Sequence, residues 1–230
     1  MSDLFEEMNL NKLGREVGDI QEYFTTMQLY RAAIKEIKTK LEILDDEFQV
    51  KYDYNPIHHI ESRLKEPGRL LDKLKRKGLN VSIDSMRDNI YDVAGIRVIC
   101  NYISDVERIA DFLVKQDDVT LIKRKDYINN PKANGYRSLH VVVSIPIFLY
   151  EKIEIVPVEV QIRTIAMDFW ASLEHQLRYS AKVDVPDELR LRLTQCAGAI
   201  QSIDEEMQEI NEEISKLKRK QGSKEVSEKE

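Results

Sequence analysis

Residues 158–164 combine the pattern of a buried strand with three polar side chains that could act on an anionic substrate. Apolar residues alternate here with Glu159, Gln161 and Arg163, so these three share one face of the predicted strand. Such a face needs a polar partner, and the alternative is a half-exposed strand of an antiparallel sheet. A second β-rich run carries Asp92 and Arg97. Two carboxylates accompanied by arginines predict a site for a metal ion and phosphates.

A basic segment precedes both runs. Its cations are Arg63, Lys65, Arg69, Lys73, Lys75, Arg76 and Lys77. Glu66 and Asp72 are the acidic residues within it, and the alternative to a binding role is a solvated helix face. Because the whole chain has a formal net charge of -6, this segment favours a compact anionic ligand over a long nucleic acid.

An aromatic ring stands among cations in a predicted loop. Gly135 allows a tight turn, which lets Tyr136 project from the loop instead of entering the core. Lys132, Arg137 and His140 flank the ring. A tyrosine in this setting can stack on a nucleobase while the cations bind phosphates. The alternative is a hairpin loop with a packed tyrosine.

A predicted helix follows residues 158–164 and carries a polar face of its own. Asp168, Ser172 and His175 are four and three residues apart on this face. A solvated face and a structural histidine are the default interpretation. The position of the helix directly after the strand with Glu159 favours a role for His175 in the site.

Hydrophobic periodicity predicts two long helical arms. Apolar residues repeat at a spacing of three and four over residues 20–48 and 189–217, and the second arm suits a coiled-coil seam. A further helix is predicted to begin at Pro56, to carry the basic segment with a bend at Pro67, and to end at Gly78.

The centre of the chain alternates between strands and helices. Strands are predicted at 93–102, 119–127, 139–145 and 152–162, and helices at 105–115 and 165–181. This order predicts an α+β fold, a mixed sheet flanked by helices, in a single domain.

The predicted domain spans residues 18–217, with its arms at about 20–50 and 187–217. Residues 1–17 are predicted to be a flexible segment and residues 218–230 a disordered, charged tail.

Composition narrows the class of protein further. With 42% hydrophobic and 33% charged residues, the chain resembles a globular, helix-rich protein, and no apolar run could span a bilayer. Cys100 and Cys196 have no metal-like spacing. Phosphate-loop, dinucleotide, zinc-protease and serine-hydrolase motifs do not occur in the sequence. Metal-dependent phosphoryl or pyrophosphoryl transfer remains.

Four motifs together resemble the synthetase domain of RelA/SpoT proteins. In chain order they are DVAGIR at 92–97, NGYRSLH at 134–140, EVQIRT at 159–164, and AMDFWA at 166–171 followed by Glu174 and His175. The resemblance covers about residues 20–207. The short chain is similar to the small alarmone synthetases, and Asp168 indicates their RelP-type branch.

The resemblance implies a nucleotidyltransferase-like fold and a defined reaction. The β,γ-pyrophosphate of ATP would move to the 3′-hydroxyl of GDP or GTP, giving AMP and (p)ppGpp, the alarmone of the stringent response. It also implies that Asp92 and Glu159 bind Mg²⁺ and that Glu159 accepts the hydroxyl proton. Arg63 and Arg97 would sandwich the adenine. The other implied residues lie near the ATP phosphates (Lys65, Lys73, Arg76) or around the guanine nucleotide (Lys132, Tyr136, Arg137, His140, Gln161, Asp168, His175).

Several further expectations concern partners and rivals. The hydrolase half of long relatives needs a histidine followed by aspartate, and none occurs here, so we expect synthesis without hydrolysis. A cytoplasmic homotetramer built by the arms is expected, with no membrane and no obligatory nucleic acid as partner. The arms could instead pack on each other and on the sheet within one chain. Rival functions are another nucleotidyltransferase, acting on RNA or a small molecule, and a coiled-coil interaction protein that binds nucleotide as a signal.

Overall fold

Six helices and five strands make up the part of the chain that the computed structural model describes, residues 20–180 and 185–227. The helices are α1 (Ile20–Tyr52), α2 (Pro67–Arg76), α3 (Ile83–Asn89), α4 (Ile103–Val114), α5 (Ile165–Ser180) and α6 (Asp187–Ser227). The strands are β1 (Ile57–Leu64), β2 (Ala94–Cys100), β3 (Thr120–Asp126), β4 (Leu139–Phe148) and β5 (Ile153–Thr164).

The five strands form one mixed sheet in the order β1-β2-β5-β4-β3. β2 and β5 are parallel, while the other neighbouring pairs are antiparallel. The predicted α+β class is therefore confirmed. The parallel pair matters for the site, because strand β2, which contains Arg97, lies directly beside strand β5, which contains Glu159.

One face of the sheet is apolar and covered by helices. Helix α1 lies across it with Ile37 and Leu41 fully buried, and α4 adds Ile109 and Leu113 to the same core. The alternation in β5 is as predicted, since Val158, Val160 and Ile162 are fully buried here. Their polar neighbours along the strand point to the opposite face.

The two predicted arms differ in what they contact. The apolar residues of α1 are mostly buried on the sheet, so this arm is cover for the core of its own chain. Helix α6 contacts α5 and α4, yet Ile203, Met207 and Ile214 on its apolar face stay exposed. The intramolecular alternative thus holds for α1, whereas most of the α6 seam has no cover within the described residues.

Residues 57–64 correct a prediction. A helix was predicted from Pro56 to Gly78, but the first half is strand β1 and the helix begins at Pro67. Ile57, Ile60 and Leu64 are three and four residues apart, which imitates a helical period, and a β-bulge between Ile57 and His59 disturbs the alternation of the strand. The basic segment is consequently divided between β1 and α2.

Smaller differences occur at the ends of helices. Helix α3 was not predicted, although Ser82 caps it by accepting a hydrogen bond from the Ser85 amide. Helix α4 begins at Ile103, two residues before the predicted start at Asp105. Helix α6 runs on to Ser227, past the predicted start of a disordered tail, because the lysine, arginine, glutamine and glutamate residues there favour helix. The predicted flexible segment at 1–17 lies outside the described residues.

No helix in the described part of the chain is long and apolar enough to cross a membrane.

Candidate active site

Strand register collects the predicted polar residues on the face of the sheet opposite α1. Glu159 lies beside Gly95 of β2, and Gln161 lies beside Arg97. On the far side of β5, His140 is paired with Gln161. A small cavity of about 60 Å³ opens between these strands, lined by Glu61, Ser62, Arg63, Asp92, Gly95, Ile96, Arg97, Glu159 and Gln161.

Asp92 stands just before β2 and is held by two ammonium groups. Its Oδ2 accepts hydrogen bonds from Lys65 Nζ and, at 2.6 Å, from Lys73 Nζ. Burial raises the pKa of Asp92, but the two lysines outweigh burial and the pKa lies below its ordinary value. Asp92 is therefore ionised at neutral pH. Its Oδ1 is buried and has no hydrogen-bond partner among the described residues.

Glu159 is a second ionised carboxylate on the same face. Gln161 Nε2 donates to its Oε2 at 2.9 Å, and His140 Nδ1 lies 3.5 Å from its Oε1. Burial raises the pKa of Glu159, but the hydrogen bonds from His140 and Gln161 lower it by more. The pKa of Glu159 therefore lies below its ordinary value. The nearby charge of Asp92 opposes ionisation of Glu159. Two negative groups kept ionised close together are suited to a cation.

The two carboxylates suit a magnesium ion whose other ligands are water and phosphate oxygens. They are too few to form a metal site made of protein ligands alone. Mg²⁺ in enzymes takes one or two carboxylates and completes its shell with water and substrate phosphates. The unpaired Oδ1 of Asp92 supplies an oxygen ligand that is not already engaged. Among the described residues, no group of three or more histidine, cysteine, aspartate or glutamate side chains is arranged to hold a metal.

Two arginines border the cavity. Arg63 lies opposite Gly95 in the β1–β2 pair, and its Cγ lies 3.7 Å from the position that a Cβ on Gly95 would take, so the arginine side chain packs against the glycine. Arg97 Nη1 donates to Glu61 at 3.1 Å and lies 3.7 Å from Asp168 Oδ1, while its buried Nε has no partner within the described part. Two planar cations are thereby presented beside the carboxylates.

Tyr136 lies at the other end of the polar face, between two cations. Lys132 Nζ stands 4.6 Å from the ring centroid, and the Arg163 guanidinium carbon stands 5.5 Å from it. The ring also meets Tyr127 and His140 edge-on, at centroid distances of 6.1 and 5.9 Å. The tyrosine is half-buried, so the loop presents it at the surface of an aromatic and cationic cluster.

A closed ring of polar contacts joins Tyr136 to Glu159. The Tyr136 hydroxyl lies 2.8 Å from His140 Nε2, and His140 reaches Glu159 with its other nitrogen. Glu159 is bonded to Gln161, and Gln161 Oε1 accepts from Arg163 Nη2 at 2.8 Å. Arg163 Nη2 returns to the Tyr136 hydroxyl at 3.2 Å. The loop and the carboxylate are thus parts of one network.

Arg163 holds this network in place from its buried side. It is 3% exposed, burial lowers its pKa, and its Nη1 donates to Asp168 Oδ1 at 3.3 Å. Asp168 in turn receives a bond from Ser172 one turn later on α5. His175, on the same face, is exposed.

Two predicted residues are set apart from the cluster. Arg76 is exposed at the last position of α2. Arg137 was predicted to join the guanine site, but it is buried on the other side of the loop and faces Asp204 and Glu205 of α6. The prediction placed it with Tyr136 because they are neighbours in sequence, whereas the two side chains point to opposite sides of the loop.

The structure adds Glu61, Tyr127 and Arg163 to the predicted set. Arg163 belongs to the polar face recognised in residues 158–164 and could have been included on that ground. Tyr127 was assigned to the end of a strand and Glu61 to a helix, so no sequence pattern marked either as a site residue.

Comparisons with known proteins agree with this architecture. The region found in RelA/SpoT proteins matches residues 62–184. The GTP pyrophosphokinase YwaC of Bacillus subtilis is 40% identical over 195 residues, which is 85% of this chain and 93% of that protein.

Solved structures are similar over most of the chain. Small alarmone synthetase 1 from Bacillus subtilis, bound to its product pppGpp, aligns with a TM-score of 0.78 at 33% identity, covering 85% of this chain and 99% of that one. The same enzyme bound to AMPCPP gives a TM-score of 0.73 at 31% identity, with 85% and 99% covered.

Proposed function

Because the chain belongs to the RelA/SpoT family, we propose that it synthesises (p)ppGpp by moving the β,γ-pyrophosphate of ATP to the 3′-hydroxyl of GDP or GTP. The observation that carries the proposal is the pair of ionised carboxylates, Asp92 and Glu159, set between arginines on one side and an aromatic loop on the other. A site for one nucleotide would need only one of these two sides, the arginines or the aromatic loop, so the presence of both supports two bound nucleotides. Small alarmone synthetase 1 has been solved with pppGpp and with AMPCPP, which supports the same pair of ligands here.

ATP is the ligand for the flank formed by β1, α2 and β2. Arg63 and Arg97 offer planar guanidinium groups for stacking on adenine. Lys65 and Lys73 donate hydrogen bonds to Asp92 in this structure. When ATP binds, their ammonium groups can bind its phosphate oxygens instead. Arg76 extends the positive charge at the end of α2.

The guanine nucleotide is the ligand for the flank formed by the loop and α5. Tyr136 provides the stacking surface, and Lys132 must move from the ring face for a base to stack there. His140, Gln161 and Asp168 contribute hydrogen-bonding groups around it. His175 belongs to the outer part of this flank.

Asp92 and Glu159 would hold Mg²⁺ together with the ATP phosphates. The ion would neutralise charge that develops on the transferred group. Glu159, oriented by Gln161 and His140, is the group that accepts the proton of the 3′-hydroxyl. The polar face otherwise acts by alignment, since holding two nucleotides in line can supply a large part of the acceleration.

Three finer features complete the proposal. The exposed apolar face of α6 supports assembly of several chains, as a homotetramer in our proposal. A cytoplasmic location, where ATP and guanine nucleotides are available, is also part of the proposal. We also propose that the chain is of the RelP type, which Asp168 supports, and that the enzyme lacks alarmone hydrolysis.

Product analysis tests the reaction directly. Purified protein is incubated with ATP, Mg²⁺ and either GDP or GTP, and the products are separated and identified by mass spectrometry. Pyrophosphoryl transfer gives AMP and a guanine nucleotide carrying two extra phosphates. Nucleotidyl transfer would instead release pyrophosphate and attach AMP to an acceptor. Nucleotide binding without turnover would favour the interaction-protein rival.

A further inference from the structure

The loop that carries Tyr136 rests directly on helix α6. Gly135 has a φ of +87°, and a Cβ added to it would lie 2.4 Å from the Cβ of Ala197. Only a residue without a side chain can approach the helix this closely. The position of the loop is consequently determined by the surface of α6 beneath it.

A buried charged group on α6 binds the next residue of the loop. Asp204 is 6% exposed, and its Oδ2 lies 3.9 Å from Arg137 Nη1, which has no hydrogen-bond partner in the described residues. The same Oδ2 accepts a hydrogen bond from Thr164 Oγ1 at 2.9 Å. Thr164 ends β5 and caps α5 by accepting the Met167 amide. One carboxylate therefore holds the loop and the end of the strand.

The two segments that Asp204 holds are those that meet at the acceptor cluster. Tyr136 precedes Arg137, and Arg163 precedes Thr164, while Tyr136 and Arg163 contact each other through hydroxyl and guanidinium. Adjacent side chains of an extended chain point to opposite sides. Asp204 thus contacts both segments on the side opposite to Tyr136 and Arg163, and it does not line the cavity between the carboxylates.

We propose that Asp204 is a positioning residue for the acceptor nucleotide, acting through Arg137 and Thr164 to fix the distance between Tyr136 and Arg163. The inference rests on the proposed function, since it assigns α6 to the acceptor side of that site. Thr164 is paired with Cys100 at the end of β2, but within the described residues the polar contacts of Asp204 go to Thr164 and Arg137, and not to the cations of the ATP flank. Loss of the clamp is expected to affect the acceptor and not ATP.

Steady-state kinetics with each nucleotide varied in turn tests the assignment. Asp204→Asn keeps the shape but removes the charge facing Arg137, and Ala197→Val pushes on Gly135 from below. Both are expected to raise the KM for GDP about tenfold or more, because small displacements of positioning groups have large kinetic effects, while the KM for ATP stays within about twofold.

Matched controls lie on the same helix. Gly198→Ala adds a methyl group where no heavy atom lies within 4 Å, and Glu205→Gln neutralises the exposed neighbour that also faces Arg137. Both should leave each KM near that of the wild type. Trp170, the single tryptophan of the chain, donates to the Leu193 carbonyl of α6, so its fluorescence reports whether α6 remains docked.

The outcomes separate this inference from the proposed function. A wild type that yields no AMP from ATP and either guanine nucleotide would overturn the proposed function. An active wild type whose Asp204→Asn and Ala197→Val variants keep the KM for GDP, or change both KM values equally, would overturn the inference. If Asp204→Asn does not fold, Ala197→Val decides the question alone, with thermal unfolding as the check that this variant is folded, because Ala197 lies in the same apolar cluster as Trp170 and its replacement can alter the emission directly.

Discussion

The contacts of single residues tie the acceptor loop to the carboxylate that we propose as the base. His140 touches the Tyr136 hydroxyl with one nitrogen and Glu159 with the other, so the imidazole ring is fixed in orientation by both partners. Gln161 holds the second oxygen of Glu159 and is itself held by Arg163. The carboxylate has little freedom to turn, which suits a group that must meet a hydroxyl in one direction.

Glu159→Gln is expected to abolish most turnover while leaving the fold intact. The amide keeps the shape of the side chain but can neither accept a proton nor bind Mg²⁺ well. General-base catalysis alone contributes about 10²–10⁴ in rate, so kcat should fall by at least 100-fold. AMP release measured beside thermal unfolding tests this. Retention of more than about a tenth of the wild-type rate would remove Glu159 from the mechanism.

Tyr136→Ala is expected to weaken binding of the acceptor nucleotide and to leave binding of ATP unchanged. Stacking on a base contributes about 1–3 kcal/mol, which corresponds to a rise in the KM for GDP of roughly 5- to 150-fold. Tyr136→Phe keeps the ring and loses the contacts to His140 and Arg163, so it should be the milder change. Should the Phe variant prove as poor as the Ala variant, the hydroxyl network and not the stacking surface would be the important feature.

At the scale of elements, the sequence predicted the faces of the strands but not the register between neighbouring strands. Alternation in residues 158–164 was enough to assign Glu159, Gln161 and Arg163 to one side, because the strand period is two. The register that sets Glu159 beside Gly95 and Gln161 beside His140 depends on contacts distant in sequence. No local pattern encodes such a register.

The failed helix prediction has a similar cause. Strand β1 lies at the edge of the sheet and contains a bulge, so its apolar residues do not alternate regularly. The missed helix α3 did carry a readable cue, a serine cap followed by apolar residues at Ile83, Met86 and Ile90. Arg137 shows the limit for the site, since its sequence neighbour Tyr136 says nothing about which side of the loop it faces.

Two glycines with open space around them are expected to respond in opposite ways to replacement by alanine. Gly78 follows α2 with a φ of +68° and open space around it, so Gly78→Ala should cost about 1 kcal/mol of stability through backbone conformation alone. Gly198 lies inside α6, also with open space, and Gly198→Ala should stabilise by up to about 1 kcal/mol. Urea unfolding measures both. A stabilising Gly78→Ala would contradict the left-handed turn.

At the scale of the whole molecule, the other described residues leave an apolar stripe along α6 uncovered. The charged residues give the protein a formal net charge of -6, which keeps copies apart, whereas Ile203, Met207, Ile210, Ile214 and Leu217 expose an apolar stripe along α6. An exposed apolar patch of this kind marks an interaction surface in most proteins. Because the same helix carries Asp204 and Ala197 beneath the acceptor loop, assembly through α6 would also stiffen the acceptor side of the site.

Ile203→Glu is expected to lower the assembly state without unfolding the sheet domain. Ile203 is 61% exposed in the single chain, so a charge there disturbs no core and should leave the thermal midpoint of the separated chain unchanged. Ser202→Glu adds the same charge about 100° around the helix and serves as the control. Sedimentation velocity at micromolar concentration measures the result. A wild type that sediments as a monomer would end the tetramer proposal, and α6 would then serve the acceptor loop of its own chain alone.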